Sequence, residues 1–306
     1  MLGFVLQRFG QAVIVLVLVS VVAFALVLLT GDPVAMMLPT HANEADRLAL
    51  QRELGLDRPI PAQYLAFVGH AVRGDLGLSV RYNQPVLRLI LGKLPSTLVL
   101  ALTAIGLAVV VGIPLGLVAG TRPRSTVDVA STVVALLTVS VPTFWIGLML
   151  ILVVADYLRW LPIGGSGGVR HLILPAVTLG APSTGLIARL IRASVADELG
   201  QGYVVTARAK GLSAAAVTAK HVLRNALIPT LTVVALQFGA LLGGSVIVET
   251  VFSWPGVGWL LLQGVFARDL PLVRAVVLIL GATFVVLNLL VDISYRYLDP
   301  RVRLHA

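Results

Sequence analysis

The sequence contains no cysteine. Disulfides, thiolate metal sites and cysteine nucleophiles are therefore excluded. Charge is scarce as well. Asp, Glu, Lys and Arg make up 12% of the 306 residues, about half the share of a soluble domain. No phosphate-binding loop is present, because Gly164-Gly165-Ser166-Gly167-Gly168 is not followed by a lysine. No HExxH pattern occurs and the five histidines are scattered, so no bound metal or nucleotide cofactor is expected on this chain. Hydrophobic residues reach 58%, against about 45–50% in soluble domains. That excess of apolar side chains has to face something other than water, and lipid is the ready candidate. The net charge of +9 does not point to nucleic acid, because the basic residues sit in particular loops and form no continuous stripe.

Six long runs lack any Asp, Glu, Lys or Arg: 9–29, 94–121, 129–155, 171–188, 225–248 and 275–291. About 20 helical residues cross the hydrocarbon core, and these runs are apolar on all sides, without the alternation of a barrel strand. The reading is an all-α integral membrane protein with six transmembrane helices. The first run is an uncleaved anchor, since no small-x-small cleavage pattern follows it. The uncharged stretch 250–267 opens with Ser253-Trp254-Pro255-Gly256, a turn signal, and is read as a short or re-entrant helix, not a seventh crossing.

Loop charges set the expected orientation. Arg122 and Arg124 oppose only Asp128; 189–224 carries six basic residues against Asp197 and Glu198; Arg296, Arg301 and Arg303 oppose Asp299. The positive-inside rule places these segments, and both termini, in the cytoplasm. Three parts follow: 1–29, an N-terminal segment with the first span; 30–93, an extracytoplasmic and mostly helical cap; and 94–306, the transmembrane core with a cytoplasmic loop at 189–224.

That loop is the most informative stretch. Thr206 to Lys210 favours helix, Gly211 interrupts it, and Ser213 is placed to cap a second helix from Ala214. Val217, His221 and Arg224 fall on one face by helical spacing. Two readings stand on these residues alone: a compact knob for a cleft on another protein, or an ordinary basic loop held at the headgroups.

Tyr203, Thr206-Ala207-Arg208-Ala209-Lys210-Gly211-Leu212, His221, Leu223-Arg224-Asn225-Ala226 and Pro229 resemble the cytoplasmic signature of permeases in ABC-type dipeptide and oligopeptide importers. Further similar pieces are Gly31-Asp32-Pro33, Leu54-Gly55-Leu56-Asp57, Gly74-Asp75-Leu76-Gly77, Ser140-Val141-Pro142-Thr143-Phe144-Trp145, Glu249-Thr250-Val251-Phe252-Ser253-Trp254-Pro255-Gly256 and Asp299-Pro300-Arg301. In the wider importer family the signature begins Glu-Ala-Ala; here Thr206 and Arg208 depart from it, in the form typical of the peptide branch. The long segment after the first span resembles the first of the two permeases in such systems. The resemblance implies a type I importer permease in the bacterial inner membrane, forming half of a pore. It implies a second homologous permease as heterodimer partner, two cytoplasmic ATPases that bind ATP and Mg2+, and an extracytoplasmic solute-binding protein. It also implies that Ala207, Arg208, Ala209, Lys210 and Gly211 couple the chain to an ATPase.

Helix breakers and polar residues within the runs mark candidate pore or gating positions: Pro142, Gln237, Ser245, Glu249 and Asn288, with Pro114, Pro175 and Pro182 as further breaks. Gln237, Ser245 and Asn288 either face a cavity or only hold helices together. Glu249 and Asp292 end their runs and are equally structural or gating. Gly239, Gly243 and Gly244 are read as helix-packing positions. The competing class is a secondary transporter or channel working without ATPases, which predicts a charge in the middle of a span; the six runs have none. The solute stays open among dipeptides, longer peptides, nickel chelates and glutathione.

Overall fold

The computed structural model describes residues 2–30, 43–53 and 56–298. Regular structure among them is helical, apart from one isolated bridge between Leu78 and Pro85. In chain order the helices are α1 (Leu2–Thr30), α2 (Glu44–Glu53), α3 (Ile60–Val72), α4 (Val86–Thr121), α5 (Thr126–Ser140) and α6 (Thr143–Leu150), the last continued as a π-helix by Ile151–Tyr157. Then come α7 (Val169–Leu199), α8 (Gly202–Ala209), α9 (Ala214–Val217), the π-helical turn Thr218–Val222, α10 (Leu223–Val251), α11 (Val257–Phe266) and α12 (Leu270–Leu298). Gly31-Asp32-Pro33, Leu54-Gly55, Asp299-Pro300-Arg301 and the Asp292 side chain lie outside the described residues.

Five stretches are long and apolar enough to cross a membrane: Leu6–Leu26, Val86–Thr121, Val169–Leu199, Ala214–Val251 and Leu270–Val291. A sixth crossing exists if α5 and α6 form one span. The run 129–155 is not the single rod expected from its composition, because its two halves are bent by 105°. Pro142 is the cause. It lacks an N–H and pushes the residue before it out of the helical region. Val141 is accordingly extended, with φ −85° and ψ 131°, and Pro142 opens α6. Within the stretch 250–267, α10 ends at Val251 and the ten-residue α11 follows a turn, as expected of a short helix.

Other boundaries move because charge ends a hydropathic run without ending a helix. Helix α4 starts at Val86, well before Lys93. Helix α7 continues past Ala188 to Leu199 and stops at Gly200. Ile187, Ile191 and Val195 stay buried along one of its faces, so burial sustains the helix while Arg189 and Arg192 interrupt the apolar sequence.

The described chain divides into two compact units, the first within Met1–Pro95 and Gly256–Leu289, the second within Ser96–Pro255 and Leu290–Ala306. In the first, Val86 and Ile90 of α4 pack with Val257 and Leu260 of α11 and Leu272 and Val276 of α12. Asp269, fully buried, organises the corner before α12. It accepts hydrogen bonds from the Ser79 hydroxyl at 2.5 Å, the Arg81 N–H at 3.1 Å and the Leu272 N–H at 3.2 Å. Helix α1 is tied to α3 by a Ser20–Tyr64 hydroxyl pair at 2.7 Å.

In the second unit α7 is packed by α5, α6 and α10, and its seam with α4 is made of small residues. Ala104, Ala108, Gly112, Gly116 and Gly120 recur every fourth position. A Cβ on Gly120 would lie 2.8 Å from the Arg192 carbonyl, and one on Gly180 would lie 2.6 Å from the Ala104 carbonyl. Backbone meets backbone here, the close approach that small-xxx-small spacing permits in membranes. Of the glycines singled out on α10, Gly243 and Gly244 do not serve this purpose. Gly243 faces open space and Gly244 meets only Leu179, at 3.8 Å. Gly116→Ala places a methyl group against the Ala188 carbonyl and Ile191, neither of which is a flexible side-chain tip. A loss of about 1–3 kcal/mol is expected from this overpacking, read as a lowered melting temperature in detergent. Gly243→Ala serves as control and should leave that temperature nearly unchanged.

Candidate functional site

The candidate site grows from the end of α7. Gly200 stops that helix, and Tyr203, in the first turn of α8, donates its hydroxyl to the Glu198 carboxylate at 2.5 Å. Burial, with the Glu198 carboxylate adding to it, raises the Tyr203 phenol above its ordinary value, so the hydroxyl remains a donor. Val204 and Ala207 of α8 and Val217 of α9 are buried, and together with Val222 they form the inside of a small knob.

The tip of the knob is a Schellman motif. The Gly211 N–H donates to the Arg208 carbonyl at 2.9 Å, and the Leu212 N–H donates to the Ala207 carbonyl at 3.3 Å. This pattern requires a left-handed residue between them, and Gly211 has φ +82°. Ser213 then caps the next helix by accepting from the Ala216 N–H at 3.3 Å, as its position in the sequence predicts. Arg208, Ala209, Lys210 and Gly211 are all exposed at this tip, while Ala207 is buried beneath it. Ala207 therefore packs the knob and leaves the contact surface to the other four. Exposed Val205 and Leu212 flank the two cations, which gives the tip a mixed apolar and basic character.

Val217, His221 and Arg224 do not share a face as their spacing suggests. The π-helical turn Thr218–Val222 adds one residue to the turn. The buried line becomes Val217, Val222, Ala226 and Thr230, with Arg224 exposed. A five-residue step is invisible to a reading based on 3.6 residues per turn.

A salt bridge missed in the sequence fixes the base of this region. Asp128, buried in the first turn of α5, is held by Arg192 of α7 through Nε and, at 2.8 Å, through Nη2. Its second role is local: it accepts from the Arg124 N–H at 2.9 Å, and Arg124 has φ +63°. The available signal was a lone acidic residue after two arginines, with Ser125 before it as an N-cap.

The candidate pore positions separate. Gln237 of α10 donates to the Ser183 hydroxyl of α7 at 3.0 Å, one residue after Pro182. Buried Thr178 lies four residues before Pro182, whose missing N–H frees the Thr178 carbonyl, and its own hydroxyl has no partner among the described residues. Gln237 and Ser183 thus form a polar pair between α10 and α7, and Thr178 is a separate buried polar group on α7. Ser245 and Asn288 instead donate to carbonyls of their own helices, Leu242 at 2.8 Å and Phe284 at 3.0 Å. Glu249 is not at an exposed span end. Helix α10 runs past it to Val251, and the carboxyl is fully buried, accepting from the Thr97 hydroxyl of α4 at 2.7 Å. Close by in sequence, the Trp254 indole N–H donates to the Ser96 carbonyl at 3.0 Å. The Gly165 N–H donates to the Phe252 carbonyl at 2.8 Å.

Comparison with known proteins adds the following. Residues 112–304 match the model of the binding-protein-dependent transport system inner membrane component, and residues 1–101 match that of its N-terminal part. The chain is 40% identical over 304 residues to the glutathione transport system permease protein GsiC of Escherichia coli O6:H1 (strain CFT073), covering 99% of each. It has the same identity and coverage with GsiC of Shigella dysenteriae serotype 1. Among solved structures, a chain of the inward-facing MetNI methionine ABC transporter aligns with a TM-score of 0.56 at 18% identity, over 70% of this chain and 97% of that one.

Proposed function

The chain belongs to the family of binding-protein-dependent transport system inner membrane components, and from that premise we propose that it carries short peptides, coupling their passage to ATPases through the Gly211 tip. It is the multi-pass transmembrane permease subunit of an ABC importer in the bacterial inner membrane, with the type I permease fold. Stand-alone transport has no support from these relatives. Its partners are a second, homologous permease completing the pore, two cytoplasmic ATPases that bind ATP and Mg2+, and an extracytoplasmic binding protein that delivers the solute. Both termini and the 189–224 segment face the cytoplasm, and 30–93 forms an outer cap.

The observation that carries the coupling role is the exposed, Schellman-closed tip. Its backbone is set by Gly211, and four of the five signature residues point outward. Arg208 and Lys210 offer charge to acidic partners, Val205 and Leu212 offer apolar contact, and buried Val204, Ala207 and Val217 keep the tip rigid enough to transmit a push to α7 and α10. Gln237, Ser183 and the Pro142 and Pro182 breaks are proposed to line or bend the pathway, because polar groups and broken helices are tolerated in a membrane where protein or a water-filled path covers them. For the solute, identity along the full length of the glutathione permeases favours a short peptide of that kind over nickel chelates.

The test is reconstitution of the whole complex in lipid, with ATPase activity measured while loaded binding protein is titrated with glutathione, di- and tripeptides, longer peptides or nickel chelates. Stimulation by one peptide class is expected. Gly211→Ala meets no neighbouring atom, so its cost is the left-handed backbone alone, about 1–2 kcal/mol. That strain reshapes the tip, and stimulated ATPase should fall by about tenfold while basal assembly persists. Solute uptake by this chain without ATPases would overturn the reading.

A further inference from the structure

The first unit holds a polar recess for which transport through the bundle gives no reason. It measures about 320 Å3 and is bounded by α1, α3, the turn at Asp75–Gly77 and the first turns of α12. Phe24 and Phe67 stack at 5.9 Å between centroids to form an apolar wall. The polar lining is Arg58, Gln63, His70, Asp75 and Arg274.

Most of these polar groups are already satisfied. The Asp75 carboxylate holds His70 Nδ1 at 3.1 Å with one oxygen and accepts from the Gly77 N–H at 3.1 Å with the other. Gln63 donates to the carbonyls of Leu56 and Arg58. Arg274 differs. It is partly buried, lies within the candidate span Leu270–Val291, and stacks its guanidinium 4.5 Å from the centroid of the Phe67 ring. No hydrogen bond or ion pair joins it to a described residue, and the Arg58 side chain has none either.

A guanidinium stays charged and presents five N–H donors in a plane. Stacking on Phe67 satisfies its face and leaves the edge donors unused. A cation of this kind within a membrane segment calls for a counter-ion or a ligand, and a planar fork matches an oxyanion bidentately. A phosphate has two sources, a lipid headgroup or solution. Placement favours the lipid. Phe24 and Arg274 each lie close to an end of a candidate span, Leu6–Leu26 and Leu270–Val291, which is the depth at which lipid head groups meet the hydrocarbon core.

We propose that this recess is a phosphate site for an anionic lipid headgroup, with Arg274 as the bidentate ligand and Arg58 as a second cation. The site is independent of which solute is carried. It is tested on the full complex, purified in detergent and stripped of lipid, then titrated with short-chain phosphatidylglycerol or with inorganic phosphate. Melting temperature and native mass spectrometry are the readouts. Phosphatidylglycerol should raise the melting temperature and leave a bound lipid. Arg274→Gln should weaken this response at least about tenfold, and Arg58→Gln by a smaller factor. Arg58 is exposed, so its variant tests the site even if Arg274→Gln does not assemble. Arg274→Lys keeps the charge without the fork and should fall between wild type and Arg274→Gln. An equal response to inorganic phosphate at the same concentrations would support the oxyanion site and assign it to soluble phosphate. No response to either probe, or unchanged lipid binding in both glutamine variants, would overturn the proposal.

Discussion

Asp128→Ala is expected to destabilise the protein clearly, though by less than breaking a fully buried ion pair does. The Asp128 side chain is 4% exposed, whereas that of Arg192 is 38% exposed, so a stranded Arg192 regains some water and the full penalty does not apply. The substitution also removes the acceptor for the Arg124 N–H, which holds the left-handed turn before α5. Urea or thermal unfolding of the purified complex in detergent gives the number. Because Arg192 lies on the extension of α7 that leads into the Gly211 tip, stimulated ATPase activity should fall along with stability. A double-mutant cycle with Arg192→Gln isolates the pair. The double variant should be more stable than the sum of the single changes implies, with a coupling of about 1–3 kcal/mol. Strict additivity would show that the two side chains act separately and that the pair does not hold α5 to α7.

Glu249→Ala is the second large effect, at about 3 kcal/mol. The change empties a fully buried volume and removes the acceptor of the Thr97 hydroxyl; cavity formation and the broken hydrogen bond both contribute. Glu249→Gln is nearly the same size and keeps an acceptor oxygen for Thr97, so its expected cost is about 1 kcal/mol or less. Comparing the two in a thermal melt separates shape and hydrogen bonding from charge. If the glutamine variant melts as low as the alanine variant, the hydrogen bond to Thr97 is not what Glu249 supplies. Transport measured on the glutamine variant then distinguishes a latch from a gate. A latch keeps near-normal transport in Glu249→Gln, whereas a gate that depends on the acid loses it.

The apolar runs, their length and the charge bias of the loops were legible because crossing a membrane imposes a composition on about 20 consecutive residues. The Gly211 turn and the Ser213 cap were legible for a similar reason, since each depends on the chemistry of one residue and its near neighbours. So was the turn before α11, announced by Ser253-Trp254-Pro255-Gly256.

What tertiary structure decided lies where partners are distant in the chain or where helix geometry departs from 3.6 residues per turn. Nothing adjacent to Asp128 points to Arg192, and nothing near Glu249 points to Thr97; folding brings each pair together across more than 60 intervening positions. The spacing Gly112, Gly116, Gly120 was present in the sequence, yet so were Gly239, Gly243 and Gly244. Only packing shows that the α4 series meets a neighbouring backbone while Gly243 meets open space. The π-helical turn at Thr218–Val222 shifts every face that follows it, and Pro142 turns one apolar run into two helices. Hydropathy, a local sum, therefore determined that the chain enters the membrane and roughly where. The pairing of buried charges, the helix seam and the true ends of the helices were decided by burial, which only the folded chain defines.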